Sequence, residues 1–147
     1  MCLRIWGLDG SNPVTLKGHS GAILDTAIVS RGRNILSSAR DGTVRLWECA
    51  SGSVLYKWEL SSPVHHLSLG CLKEREEITN DDVPSREVDT LGKLLCLVTE
   101  SGRVEGYDLG TKDRLFVLAP GKSPLVALAL NETFLVSGSV RLFFWEY

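Results

Sequence analysis

Short stretches of alternating apolar and polar residues recur along this chain, and each ends in a turn-forming cluster instead of continuing into the three-and-four spacing of a helix. The clearest run is TVRLWECASGSVLYKW from Thr43 to Trp58, in which two alternating stretches flank a Ser-Gly turn. A shorter echo, LRIWGLDGSNPVTL, lies at Leu3 to Leu16, and it places Trp6 41 residues before Trp47. That interval falls within the ~40 to 45 residue period of four-stranded propeller blades. A third echo, RVEGYDLGTKDRLFVL, starts at Arg103 and puts Tyr107 in the tryptophan position, 60 residues after Trp47. The excess over the period lies between Cys71 and Gly92, where KEREEITNDDVPSREVDT is polar, lacks apolar periodicity and is broken by Pro84. A fourth echo, RLFFWEY, ends the chain, with Trp145 38 residues after Tyr107 and the turn between its two strands shortened.

The pattern predicts an all-β chain of antiparallel strands grouped as blades. Residues 1–17 are expected to be a partial blade made of its last two strands. Residues 18–61 form a complete blade with strands near 22–30, 34–39, 43–48 and 53–60. Residues 62–119 form a divergent blade with strands near 63–69, 93–99, 103–108 and 114–118 and an acidic loop inserted at 71–92. Residues 120–147 form a further partial blade. The pieces amount to about three blades, and a closed ring takes at least ~4. The chain is therefore expected not to close a ring by itself, and to be a truncated or alternatively spliced product or one completed by another chain.

The segment GHSGAILDTAIVSRGRNILSSARDGTVRLWE, residues 18–48, carries a Gly-His pair before its first strand and Trp47 at the end of its third. It resembles one full repeat of the WD β-propeller family. Within that family, ILDTAIVSRGRN followed by ARDGTVRLW is similar to the proteasomal ATPase-associated factors, with weaker likeness through LGTKDRLFVLAP. The resemblance implies a non-enzymatic, protein-binding scaffold that binds a proteasomal ATPase subunit during assembly or regulation of the 19S regulatory particle. The alternative is a generic WD adaptor in another complex, such as a ubiquitin ligase substrate receptor. It also implies that His19, Ser37, Asp41 and Trp47 form a buried hydrogen-bond relay from Trp through Ser and His to the Asp of the tight turn. The divergent blade departs from the pattern: no Gly-His precedes its first strand, Glu100-Ser101-Gly102 replaces Asp-Gly, and Tyr107-Asp108 replaces Trp-Asp.

Ser, His and Asp are also the members of a hydrolase triad, but no GxSxG elbow accompanies Ser37, and Asp41 suits an Asp-Gly turn directly. A triad would further require Ser37 to be open to solvent. Pro120-Gly121-Lys122-Ser123 ends like a phosphate loop, yet Phe116 stands where its first glycine belongs. His65 and His66 are adjacent on a strand and point to opposite faces, which does not suit a shared metal. No catalytic residue, cofactor, metal or small-molecule substrate is expected.

A formal net charge of −2 gives no basic field for nucleic acid, and no run of eighteen apolar residues or signal-peptide core points to membrane or secretion. The expected compartment is cytoplasm or nucleus. Cys2, Cys49, Cys71 and Cys96 are far apart and without a CxxC pair, so they are expected to be reduced and mostly packed. The inserted segment holds seven acidic residues against Lys73, Arg75 and Arg86. It joins the first two strands of its blade, as Arg31-Gly32-Arg33 does in the blade before, so both emerge on one rim and are expected to pair. The opposite rim carries the loop 17–21 and the turn 40–43, and Lys17, Ser20 and Arg40 are its candidate partner contacts.

Overall fold

The computed structural model describes residues 1–11, 13–29, 31–72, 86–119, 125–130 and 135–139. Among these described residues, four antiparallel sheets follow one another along the chain. The first pairs β1 (Cys2–Ile5) with β2 (Val14–Lys17). The second is a four-stranded meander of β3 (Ile23–Val29), β4 (Asn34–Ala39), β5 (Thr43–Glu48) and β6 (Val54–Glu59). The third repeats it with β7 (Val64–Cys71), β8 (Lys93–Thr99), β9 (Val104–Asp108) and β10 (Arg114–Leu118). The fourth pairs β11 (Leu125–Leu130) with β12 (Leu135–Ser139). β3 packs on β7, and β11 packs on β7 and β8, so the first strands of successive sheets adjoin. The fold is an incomplete β-propeller, all-β as the periodicity requires, with one 3-10 turn at Val88–Thr90 among the described residues.

Alternation explains why the sheets stack. In β8, Leu95 and Leu97 face the second sheet and pack with Leu36, Val44, Leu46, Trp58 and Leu67. Cys96 and Val98 point the other way, onto Leu125 and Leu128. A strand apolar on both faces must be covered on both, and each such side chain contributes roughly 1.5 to 3 kcal/mol when fully buried. Each first strand carries a register shift near its start, at Ile23/Asp25, Val64/His66 and Leu125/Ala127. Such a bulge sharpens the local twist where the first strands of neighbouring sheets crowd together.

One expectation changes. The thiols are free, but Cys2 and Cys71 are exposed, and only Cys96 is buried. Within the inserted loop, Val88–Thr90 makes a 3-10 turn, and the Thr90 hydroxyl donates to Glu87 O at 2.7 Å. Trp6 does not share the burial of Trp47: it is 61% exposed against 1%, since β1 pairs only with β2 among the described strands. Residues 73–85, Pro120 to Ser123 and the final RLFFWEY lie outside the described residues.

Candidate functional site

The turn between β4 and β5 is built by its sequence. Gly42 adopts φ 76°, the left-handed region that a side chain would strain, and its N–H closes the turn on Ala39 O at 3.2 Å. Asp41 then faces back over the loop that leads into β3. Its Oδ2 accepts from Ser20 N at 2.8 Å, Ser20 Oγ at 3.3 Å and Gly21 N at 3.4 Å, and its Oδ1 accepts from Thr43 N at 2.9 Å and Thr43 Oγ1 at 2.6 Å. The approach is so close that a Cβ on Gly21 would stand 2.5 Å from Asp41 N.

Inward of this turn the polar groups continue without a gap. His19 Nδ1 lies 2.9 Å from Thr43 Oγ1 and 3.3 Å from Asp41 Oδ2, while His19 Nε2 lies 2.7 Å from Ser37 Oγ. Ser37 Oγ in turn accepts from Trp47 Nε1 at 2.8 Å. Proton counting assigns the tautomer. The Thr43 hydroxyl donates to Asp41, so Nδ1 must carry the hydrogen that faces Thr43 and the carboxylate. Ser37 takes the indole N–H and gives its own hydrogen to the bare Nε2. The structure thus brings His19, Ser37, Asp41 and Trp47 together, with Thr43 as a further link between His19 and the turn. Thr43 was legible only as the residue after an Asp-Gly turn.

Electrostatics follow from these bonds. Burial pushes the His19 imidazole below its usual value, outweighing the Asp41 carboxylate that pulls it up. Burial alone would raise Asp41, but the hydrogen bonds from Thr43, Ser20 and Gly21 hold its carboxyl well below the usual carboxylate range. A neutral imidazole beside a fixed carboxylate is a pairing that can serve catalysis or structure. Here Ser37 is fully buried, so its hydroxyl lacks the access a nucleophile needs.

The locked loop presents its outer groups to solvent. Lys17, Ser20 and Arg40 are all exposed, and Arg40 N is held by Ala22 O at 2.8 Å. Ser20 has a double role, because its N–H and hydroxyl both brace Asp41 while the residue remains at the surface. Lys17 also borders a cleft with Met1, Cys2, Gly18 and His19.

The third sheet keeps the turn and replaces the relay. Gly102 adopts φ 81° and closes on Thr99 O at 3.0 Å, but the turn is joined to the preceding loop by Ser101 N donating to Ser62 Oγ at 3.0 Å. Tyr107 donates to Glu105 Oε2 at 2.7 Å on its own strand, and burial, then that bond, pushes its phenol up. Between the sheets, Asp25 Oδ2 accepts from Leu67 N at 2.8 Å and meets His66 Nδ1 at 2.7 Å. His66 is thus an inter-sheet tie, a role its adjacency to His65 did not suggest. Of the two loops expected to pair on the other rim, only the end of the acidic one is described. There Glu87 pairs with Lys112 at 2.7 Å, not with Arg31 or Arg33.

Residues 10–48 match the family described as WD domain, G-beta repeat. The chain is 35% identical over 125 residues to the 26S proteasome regulatory subunit RPN14 of Saccharomyces cerevisiae, a match covering 80% of this chain and 30% of that protein. It is 33% identical over 81 residues to eukaryotic translation initiation factor 3 subunit I of Schizosaccharomyces pombe, covering 54% of this chain and 22% of that one. The chain therefore spans less than a third of either relative. Its fold resembles that of the computationally designed Ika8 protein, with a TM-score of 0.69 and 18% identity over 94% of this chain and 37% of that one.

Proposed function

We propose, from the premise that this chain carries a WD repeat of the G-beta type, that it is a non-enzymatic scaffold that binds a proteasomal ATPase subunit and acts in assembly or regulation of the 19S regulatory particle. The observation that carries this reading is the likeness to RPN14, which runs over 80% of the chain and so reaches well beyond the WD repeat at residues 10–48. In this reading Lys17, Ser20 and Arg40 touch the partner, and the relay beneath them keeps the rim in shape. A loop whose backbone N–H groups are already bonded to Asp41 loses little freedom on binding, which favours affinity. Residues 1–17, 18–61, 62–119 and 120–147 are then successive blades or parts of blades, and the protein works in cytoplasm or nucleus.

The test is size-exclusion chromatography with light scattering of the purified chain, alone and with the C-terminal domain of each proteasomal ATPase. Co-elution with one of them, lost in a Lys17→Ala/Arg40→Ala variant that melts like the parent, supports the reading. A monodisperse chain that binds none of them would overturn it. The likeness to the initiation factor subunit favours a second reading, a WD adaptor in another complex, and capture of other complexes without ATPases is its signature.

A further inference from the structure

At the rim opposite Ser20 and Arg40, three segments enclose a cleft of about 570 Å³: Gly32 and Arg33 from the β3–β4 turn, Glu48, Cys49 and Ala50 from the β5–β6 turn, and Arg86 from the end of the insertion. That volume is within the ~300 to 1,000 Å³ of ordinary ligand sites. We infer that this cleft is a binding site for an acidic peptide, with Arg33 and Arg86 gripping a carboxylate and Gly32, Cys49 and Ala50 receiving an adjoining apolar side chain.

The arginines are held from behind. Arg33 O accepts from Cys49 N at 2.9 Å, and Arg86 O accepts from Asn34 Nδ2 at 3.1 Å, so each backbone is tied to a different segment of the wall. Asn34 is fully buried, which makes that second tie a fixed one. Gly32 turns the hairpin at φ 82°, and its N–H bonds to Val29 O at 3.0 Å. With backbones fixed, only the side chains remain to be ordered on binding, and a guanidinium loses comparatively little because its fork is planar. Both arginines are exposed, and neither forms an ion pair among the described residues. Arg31, exposed in the same hairpin, adds to the positive field.

The wall also selects the class of ligand. Glu48 lies on it, which disfavours a dense polyanion such as a nucleic-acid backbone. Two guanidinium groups, one carboxylate and small apolar or thiol residues suit a peptide that alternates acidic with apolar side chains.

The probe is a fluorescein-labelled peptide of alternating Glu and Phe, followed by fluorescence anisotropy with the full chain, with a Lys-Phe peptide as control. The expected result is salt-sensitive binding of the Glu-Phe peptide that falls by about tenfold or more in Arg33→Ala/Arg86→Ala and is unchanged in Lys57→Ala, at an exposed residue of β6 away from the cleft. Melting curves matching the parent separate this loss from unfolding, and Arg33→Gln/Arg86→Gln serves if the alanine pair is unstable. Equal affinity in the arginine variants, equal binding of the Lys-Phe peptide, or no binding by the parent overturns it.

Discussion

The indole Nε1 of Trp47 donates to the hydroxyl of Ser37 across 2.8 Å in a space where both residues are almost wholly sealed from water. The same hydroxyl faces His19 Nε2, so one oxygen satisfies two buried rings. Ser37→Ala should therefore cost about 2 to 4 kcal/mol, since it orphans the indole N–H and an imidazole nitrogen together. Ser37→Thr keeps the hydroxyl and should cost less. Urea denaturation followed by tryptophan fluorescence measures both, and an alanine cost below 1 kcal/mol would show the relay to be energetically idle.

The relay also fixes how stability depends on pH. His19 and Asp41 are both depressed in the folded state, so across each transition the unfolded chain binds more protons than the folded one. Stability from His19 is thus complete above the ordinary imidazole value of ~6.5 and drains away as pH falls toward its lower folded value. Asp41 adds a second loss below ~3.9, the ordinary carboxylate value. For a group titrating only in the unfolded state the slope approaches about 1.4 kcal/mol per pH unit. Denaturation at pH 7 and pH 5.5 should show the parent losing stability and His19→Gln losing less. Parallel losses would remove His19 from the account.

What could be read from the chain and what could not divides along a physical line. The spacing of Trp6, Trp47 and Tyr107 reports local strand register, and it gave the two four-stranded sheets to within a residue or two at most strand ends. Gly18-His19 and Asp41-Gly42 report turns within one sheet, and so did the relay between them. Contacts between sheets leave no such mark. Nothing near Asp25 announces that its carboxylate will meet Leu67 N and His66, 42 and 41 residues on, because that depends on how two twisted sheets stack. The spacing of Trp6 likewise says nothing of its burial, and it is exposed because β1 pairs only with β2 among the described strands.

That inter-sheet tie can be tested in its own right. Asp25→Ala leaves Leu67 N–H without its acceptor and should cost about 1 to 3 kcal/mol, whereas Asp25→Asn retains a carbonyl oxygen and should recover part of it. Hydrogen exchange reads the effect at the site: the Leu67 amide should lose protection in the alanine variant before the amides in the middle of β8 do. Unchanged protection at Leu67 would mean that another acceptor replaces Asp25.

Lys112 adopts φ 71° in the turn where the preceding sheet has Gly52 at φ 70°. The two turns close alike, Lys112 N on Asp108 O at 2.8 Å and Gly52 N on Glu48 O at 2.9 Å. A non-glycine residue there is strained by roughly 1 kcal/mol. The side chain compensates: Nζ reaches Leu109 O at 2.6 Å and Glu87 at 2.7 Å, in a largely buried pair, and passes 6.0 Å from the Tyr56 ring. Lys112→Ala keeps the strain and loses those contacts, so it should be the worse variant. Lys112→Gly loses the same contacts but relieves the strain, and should be more stable than the alanine by about 0.5 to 1 kcal/mol, the reverse of their order in a strand or helix. Glu87→Gln should weaken the parent but leave both variants nearly unchanged, because neither has an ammonium to pair with it. A double-mutant cycle on thermal stability measures that coupling, and additivity of the two changes would show that the insertion is not anchored through Lys112.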